Sequence, residues 1–312
     1  MARRKPSIIY QVLARLDELK RFGESKHLAK LEERERCRET GERYNPARAD
    51  GIYSYATYTA YKKHCLDFAN WAREKGAKTL EQAREYVRTY LERHIQEGRS
   101  AWTVRLEASA LAKLYNCSSS DFGIELPKRK REDIHRSRGE KVRDRDFSEE
   151  KNRDIVDFCR ATGLRRKELS RLQARDIIER DGVVYVHVRQ GKGGRERVVR
   201  VVEEYKEHVL RTKQRAEEEG RERVFERIPS HMDVHGYRRE YAENRYKEIK
   251  RDPEQYERAR ERWEIWKRER GYEGPDTYRR RDGREFDRAI LLEVSRDMGH
   301  NRVDVIARHY LD

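Results

Sequence analysis

Five short stretches of the chain carry side chains that can do chemistry: ATGLRRKEL around Arg165, QGKGGRERVV with Lys192, HGYRREYA with His235 and Arg238, MGH with His300, and the run VDVIARHY that closes on Tyr310. An arginine is permanently charged and can grip two oxygens of an anion at once. Lysine and histidine can hand over a proton. A phenol, with a pKa near 10, is a weak nucleophile at neutral pH and needs cations or a base beside it. The i,i+3 spacing puts His235 and Arg238 on one helical face. Each stretch alone is ordinary. ATGLR reads as a helix-entry turn and GKGG as a hairpin tip. Tyr310 passes for a core tyrosine at the end of an amphipathic helix with Val303 and Ile306 on its stripe, capped by Asn301 with Asp304 three residues on.

The whole chain points to a polyanion as partner. It has 312 residues, 74 Lys and Arg against 59 Asp and Glu, and a net charge of +15, so two or three domains carry a strongly basic surface. Nucleic acid fits that surplus best, an acidic membrane second. Charged residues reach 43% and apolar ones only 35%, yet 18 Tyr and clear helical periodicity argue for a folded protein over a disordered one. No apolar run approaches the ~20 residues of a membrane span. The N-terminus lacks an apolar stretch and cleavage site of the secretory kind. Cys37, Cys65, Cys117 and Cys159 are widely spaced with no C-x-x-C pair, which reads as reduced cysteines in a cytosolic protein. The expectation is a cytoplasmic, nucleic-acid-associated protein with no membrane partner.

The elements that must position these residues follow from periodicity. Ser7 can cap a helix with Ile9, Val12, Leu16 and Leu19 inward, ended by Gly23, and a charged helix follows near His27 to Arg38. Residues 1–50 are thus expected to form a helical extension. From Ser54 to Tyr115 three or four helices make a small bundle, with Tyr58, Tyr61, Cys65, Phe68 and Ala72 on the first inner face, Ala83, Val87, Tyr90 and Leu91 on the next after a Thr79 cap, and Val104, Ala108, Leu111 and Leu114 on the last after a Ser100 cap. Residues 127–146, PKRKREDIHRSRGEKVRDRD, have almost nothing to bury and read as a basic linker. Order resumes at Phe147. Ser148 caps a helix with Ile155, Phe158 and Cys159 inward, Leu169 and Leu172 face in after the ATGLR turn, and two β-rich runs flank Gly191–Gly194 as a hairpin.

Taken together and in order, Arg165, Lys192, His235, Arg238, His300 and Tyr310 resemble the active-site set of the tyrosine recombinase (phage integrase) family. The resemblance covers about 147–312 and extends more loosely to 51–126, where YTAYKKHCLDFANWA and SAWTVRLEASALAKLY look like the first and last helices of that family's core-binding domain. It implies a mainly α fold with a small β-hairpin or sheet. A helical, SAM-like core-binding domain and a mixed α+β catalytic domain would form a two-lobed clamp on double-stranded DNA. It implies roles as well. Arg165 and Arg238 would neutralise the non-bridging oxygens of a phosphodiester. His235 would stand beside the phosphate as donor or base, His300 would donate to an oxygen, and Lys192 would protonate the departing 5′ oxygen. Arg195 and Arg197 are neighbouring candidates for that last task. Tyr310 would attack. Glu168 sits at the family's acidic position, with a supporting role that orients an arginine or histidine. The implied activity is site-specific DNA recombination through a 3′-phosphotyrosine, as in the integrase or excisionase of a mobile element. A homotetramer would act on two duplexes and be a monomer when free. No cofactor is implied, and neither a Walker loop nor a metal-ligand cluster stands in the sequence. The alternatives are a type IB topoisomerase, a telomere resolvase, or a non-catalytic DNA-binding protein on the same scaffold.

Two departures stand out. Sixty-one residues separate Arg238 from His300 where the family has a short connection. The excess, about 244–284, is dense in Arg, Glu and Tyr. Pro253 can start a helix with Tyr256, Ala259, Trp263 and Trp266 on one side, to be either packed on its own domain or extended as an arm to DNA or a neighbouring protomer. The other departure lies beyond the tyrosine, where only Leu311 and Asp312 follow. Protomer contacts are therefore expected from the insertion, the tyrosine helix or another surface.

Overall fold

A computed structural model describes residues 6–44, 51–130, 147–192, 194–300 and 302–311. The chain divides into two compact units, Met1–Gly139 and Glu140–Asp312. Most of the linker reading, 131–146, lies outside the described residues, as does the Asn301 cap; 127–130 carry no regular structure.

The first unit is all helical: α1 (Ile8–Glu18), α2 (Lys26–Thr40), α3 (Tyr55–Glu74), α4 (Leu80–Ala83), α5 (Val87–Gln96) and α6 (Ala101–Leu114). Side chains of Ser7, Ser25, Ser54, Thr79 and Ser100 each accept a backbone N–H at the start of a helix, satisfying donors that would otherwise have no partner. Val12 and Leu16 of α1 share one core with Cys65, Phe68 and Ala72 of α3, Val87 and Leu91 of α5, and Val104 and Leu111 of α6. The residues read as an extension therefore include a helix that belongs to the bundle's own core. Tyr58 Oη donates to Asp17 Oδ1 at 2.5 Å, and Ile52 pairs with the chain after α1 through its N–H to Leu19 O. By contrast α2 buries only Cys37, as its charged composition dictates.

The second unit runs α7 (Arg153–Thr162), α8 (Arg166–Leu169), β1 (Ile177–Arg180), β2 (Val183–Val188), β3 (Arg197–Arg200), α9 (Lys206–Glu218), α10 (Val234–Arg251), α11 (Pro253–Arg270), β4 (Thr277–Arg279), β5 (Glu285–Asp287), α12 (Arg288–Asp297) and α13 (Val303–His309). The expected hairpin is the β2–β3 half of a three-stranded antiparallel sheet, with Val186 opposite Val199 and Val188 opposite Arg197. Strand β1 was not read from the sequence; IIER is too short and too polar to show alternation. Val184, Val186 and Val188 point inward at the two-residue period of a strand and join a core built on Phe158, Leu164, Tyr237, Tyr241, Leu291 and Val294.

The insertion folds onto its own unit. Asp252 caps α11 and Pro253 occupies its first turn. Ala259 and Trp263 are buried, with Tyr256 and Trp266 half-buried against the same core, and α11 lies on α12 and α10. Trp263 Nε1 donates to Asp276 at 2.7 Å, tying the helix to the strand pair β4–β5 that follows.

Where α7 ends, Gly163 turns the chain with φ +57, and a Cβ there would fall 2.4 Å from the Tyr241 ring. Gly163→Ala is expected to lower unfolding stability by roughly 2 kcal/mol or more, since it combines a left-handed backbone with a core collision. Urea denaturation of the mutant against the wild type measures it.

Candidate active site

Three arginines from distant parts of the second unit meet at the turn after α12. Arg165 begins α8, where its own N–H donates to Glu168 Oε2 at 2.9 Å and its Nη1 to Glu168 Oε1 at 2.9 Å. Arg197, opening β3, grips both oxygens of the same carboxylate at 3.0 and 2.7 Å. Arg238, in the second turn of α10, is 1% exposed and donates to the carbonyls of Gly163 and Met298. The Met298 carbonyl also accepts Arg165 Nη2 at 3.1 Å, and the Asp297 carbonyl accepts Arg197 Nε at 2.8 Å. Two consecutive carbonyls thus bind all three guanidinium groups.

His300 and Tyr310 complete the cluster. Arg238 Nη2 lies 3.3 Å from His300 Nε2, and the His300 and Tyr310 rings are 5.4 Å apart between centroids. The Arg238 guanidinium carbon sits 5.8 Å from the Tyr310 ring centre. Ser295 fixes the intervening turn: its hydroxyl donates to the Arg302 carbonyl and accepts the Arg302 N–H, while its carbonyl accepts the His300 N–H. Tyr310 itself is half-buried at the C-terminal end of α13.

Electrostatics separate the roles. Burial would raise the Glu168 carboxyl, but Arg197 and Arg165 outweigh it and hold it at about 2. Burial, then the charge of Arg165, lowers Arg238 to about 10, with the Tyr310 hydroxyl opposing. At neutral pH Arg238 stays charged. Of its five N–H donors, those described above use only part, and its buried Nε makes no hydrogen bond among the described residues. Burial first, then Arg238, Arg165, Arg197 and Lys192, push His300 down to about 3. His300 is therefore neutral, with Nε2 free to accept from Arg238. The cluster carries one carboxylate against three guanidinium groups, so it favours an added anion.

Lys192 is exposed on the tip between β2 and β3 and lines a cleft of about 1010 Å³ together with Arg165 and Arg197. The tip is anchored by Gly191, whose N–H donates to the Arg195 carbonyl at 2.7 Å; a Cβ on Gly191 would come within 2.9 Å of Arg197 Nη1. His235 stands exposed in the first turn of α10, one turn before Arg238. The structure thus gathers Arg165, Glu168, Arg238, His300 and Tyr310 into direct contact, with Lys192 on the adjoining cleft and His235 at the rim of the same helix. Sequence reasoning named Arg197 only as a stand-in for Lys192. Its actual place is behind the site, as second partner of Glu168. The signal was available in the register, because Arg197 faces the buried Val188 across the hairpin and so points inward.

The sequence profile of the Phage integrase family matches residues 140–311, more than half of the chain. The chain belongs to that family. It is a tyrosine-type site-specific recombinase. A comparison with curated proteins gives no match. Among solved structures the recombinase is similar to XerH site-specific recombinase bound to palindromic difH substrate in a post-cleavage complex, at 16% identity and a TM-score of 0.47, covering 97% of this chain and 90% of that one. The pre-cleavage complex of XerH with difH gives 14% identity and a TM-score of 0.47, with 97% and 91% covered.

The recombinase should lose stability on acidification in two overlapping windows. For His300 the unfolded chain takes up a proton near pH 6.5 and the folded one only near 3, so stability falls as pH drops through that range. Glu168 contributes stability above about 4.5 that disappears toward 2. Urea midpoints between pH 7 and 3 should fall less steeply in His300→Gln. Glu168→Gln should cost about 3 kcal/mol at pH 7, because it removes the buried carboxylate that two half-buried cations share.

Proposed function

We propose that this recombinase cuts and rejoins double-stranded DNA through a 3′-phosphotyrosine formed on Tyr310. The observation that carries the reading is the convergence of Arg165, Arg238 and His300 beside the Tyr310 ring, in a cluster whose charge an anion would balance. A DNA phosphodiester supplies that anion. Arg165 and Arg238 hold its non-bridging oxygens and offset the charge that builds as the phosphorus becomes five-coordinate. The Tyr310 oxygen attacks phosphorus, the bond to the 5′ oxygen breaks, and Lys192 gives that oxygen its proton. His235, at the rim, accepts the phenolic proton or donates to the phosphate. Neutral His300 donates through Nδ1–H, or through Nε2 once the phosphate has drawn a proton onto it. A 5′-hydroxyl from another duplex then attacks the phosphotyrosine and restores the backbone. The ester keeps the energy of the broken bond, so the exchange is reversible.

The wider setting belongs to the same proposal. Four protomers act on two duplexes and are separate when free of DNA. The helical unit at 51–126 supplies the second DNA-binding surface, with 147–312 as the catalytic domain and 127–146 as the basic connection. The protein works with the DNA of a mobile element, as its integrase or excisionase. A net charge of +15 supports phosphate-dominated binding.

Incubation with a duplex nicked near its target site should give a protein–DNA adduct that survives denaturation. Tyr310→Phe should form none while binding DNA as tightly as wild type. Arg238→Ala should slow adduct formation by about 10²–10³-fold, the usual loss for one oxyanion-stabilising group. An adduct of normal yield in Tyr310→Phe would remove Tyr310 as nucleophile.

A further inference from the structure

Helix α13 is too short to hold itself. Seven residues make two turns, well below the ~12 at which an isolated helix becomes even marginal in water. Its inner face is small: Val303, Ile306 and Ala307, with Leu311 beyond the end. The carbonyls of its last turn have no intrahelical partner. Tyr310 caps this weak end, where a shift of one ångström would take its hydroxyl away from Arg238.

The missing support comes from the insertion. Arg280 follows β4, on the turn that joins it to β5. Its Nη1 donates to the Ala307 carbonyl at 3.1 Å and to the Leu311 carbonyl, bracketing Tyr310 from both sides in the chain. A cation at a helix C-terminus also meets the negative end of the helix dipole. Arg280 is aimed by its surroundings: its Nε donates to Asp282 at 2.7 Å, and its guanidinium lies 5.5 Å from the Phe286 ring centre. A second tie runs the other way, from Arg308 Nε of α13 to the Tyr278 hydroxyl of β4 at 2.8 Å. The strand pair is itself fixed, since Arg288 N–H donates to the Asp276 carbonyl and Tyr256 Oη to Asp287.

We infer that the inserted strand pair is a clamp for the nucleophile's helix, and that Arg280 is a positioning residue that sets where Tyr310 stands. The inference rests on the proposed role of Tyr310 for its catalytic arm only. The insertion's work, on this view, is done inside its own protomer.

The test uses full-length protein with Arg280→Ala and Arg280→Lys. Three quantities are measured: DNA affinity, the single-turnover rate of adduct formation on a nicked duplex, and hydrogen exchange of the backbone amides of 303–311. Arg280→Ala should bind DNA within about twofold of wild type, since its role is not contact with DNA, yet form the adduct roughly 10–100-fold more slowly, the range expected for a displaced reacting group. Exchange in α13 should speed up by tenfold or more while α12 is unchanged. Arg280→Lys, which keeps the charge and a donor, should recover part of both. A wild-type adduct rate in soluble Arg280→Ala, or unchanged exchange in α13, overturns the clamp. If wild type forms no adduct at all, the function proposed for Tyr310 fails and the exchange arm alone decides the clamp. Should Arg280→Ala not fold, Tyr278→Phe takes its place, with the same direction in both readouts and about a fivefold effect, as one lost hydrogen bond predicts.

Discussion

Like charges do not gather without a reason to stay. Arg165, Arg197 and Arg238 are held within one cluster by Glu168 and by the carbonyls of Asp297 and Met298. Everything else in the second unit serves that gathering. The α7–α8 turn delivers Arg165 and Glu168, the sheet presents Arg197, and α10 carries Arg238 inward. Helix α12 ends where its last carbonyls can accept them. Because the carbonyls contribute only partial charge, the arginines remain under-neutralised; burial first, and then these guanidinium groups, lower His300. Such a cluster is built to receive an anion.

Much of this was legible in the residues. Helix caps at Ser7, Thr79 and Ser100 and the inner faces of the first unit follow from spacing alone, because a cap and a 3.6-residue stripe are local signals. The resemblance to the tyrosine recombinase family named Arg165, Glu168, Arg238, His300 and Tyr310 but not Arg197's place among them. What periodicity could not give was depth. Nothing in the sequence says that Arg238 is almost fully buried, or that Arg197 shares Glu168 with Arg165, since both facts depend on contacts across tens of residues. Strand β1 escaped notice because a four-residue edge with two charges has no pattern to read.

The insertion shows how a charged segment can be structural. Of the two readings its sequence leaves open, a packed helix or an extended arm, the structure has the first: Ala259 and Trp263 bury one side of α11, and Trp266 stacks on Trp263 at 4.9 Å. Gln255 at its start accepts from Arg245 at 3.0 Å, and Arg245 also holds the Asp297 side chain, one residue before the carbonyl shared by Arg165 and Arg238. The added residues therefore reach the arginine cluster from behind as well as α13 from the side.

The bond from Arg165 to the Met298 carbonyl joins residues 133 apart in the chain. Contacts of that separation raise the entropic barrier to folding, because a long loop must close before they return any stabilisation. Until the segments around 165, 238 and 298 are brought together, the Met298 carbonyl has neither of its guanidinium partners. The three-guanidinium cluster is thus a property of the finished tertiary structure and of no single local segment.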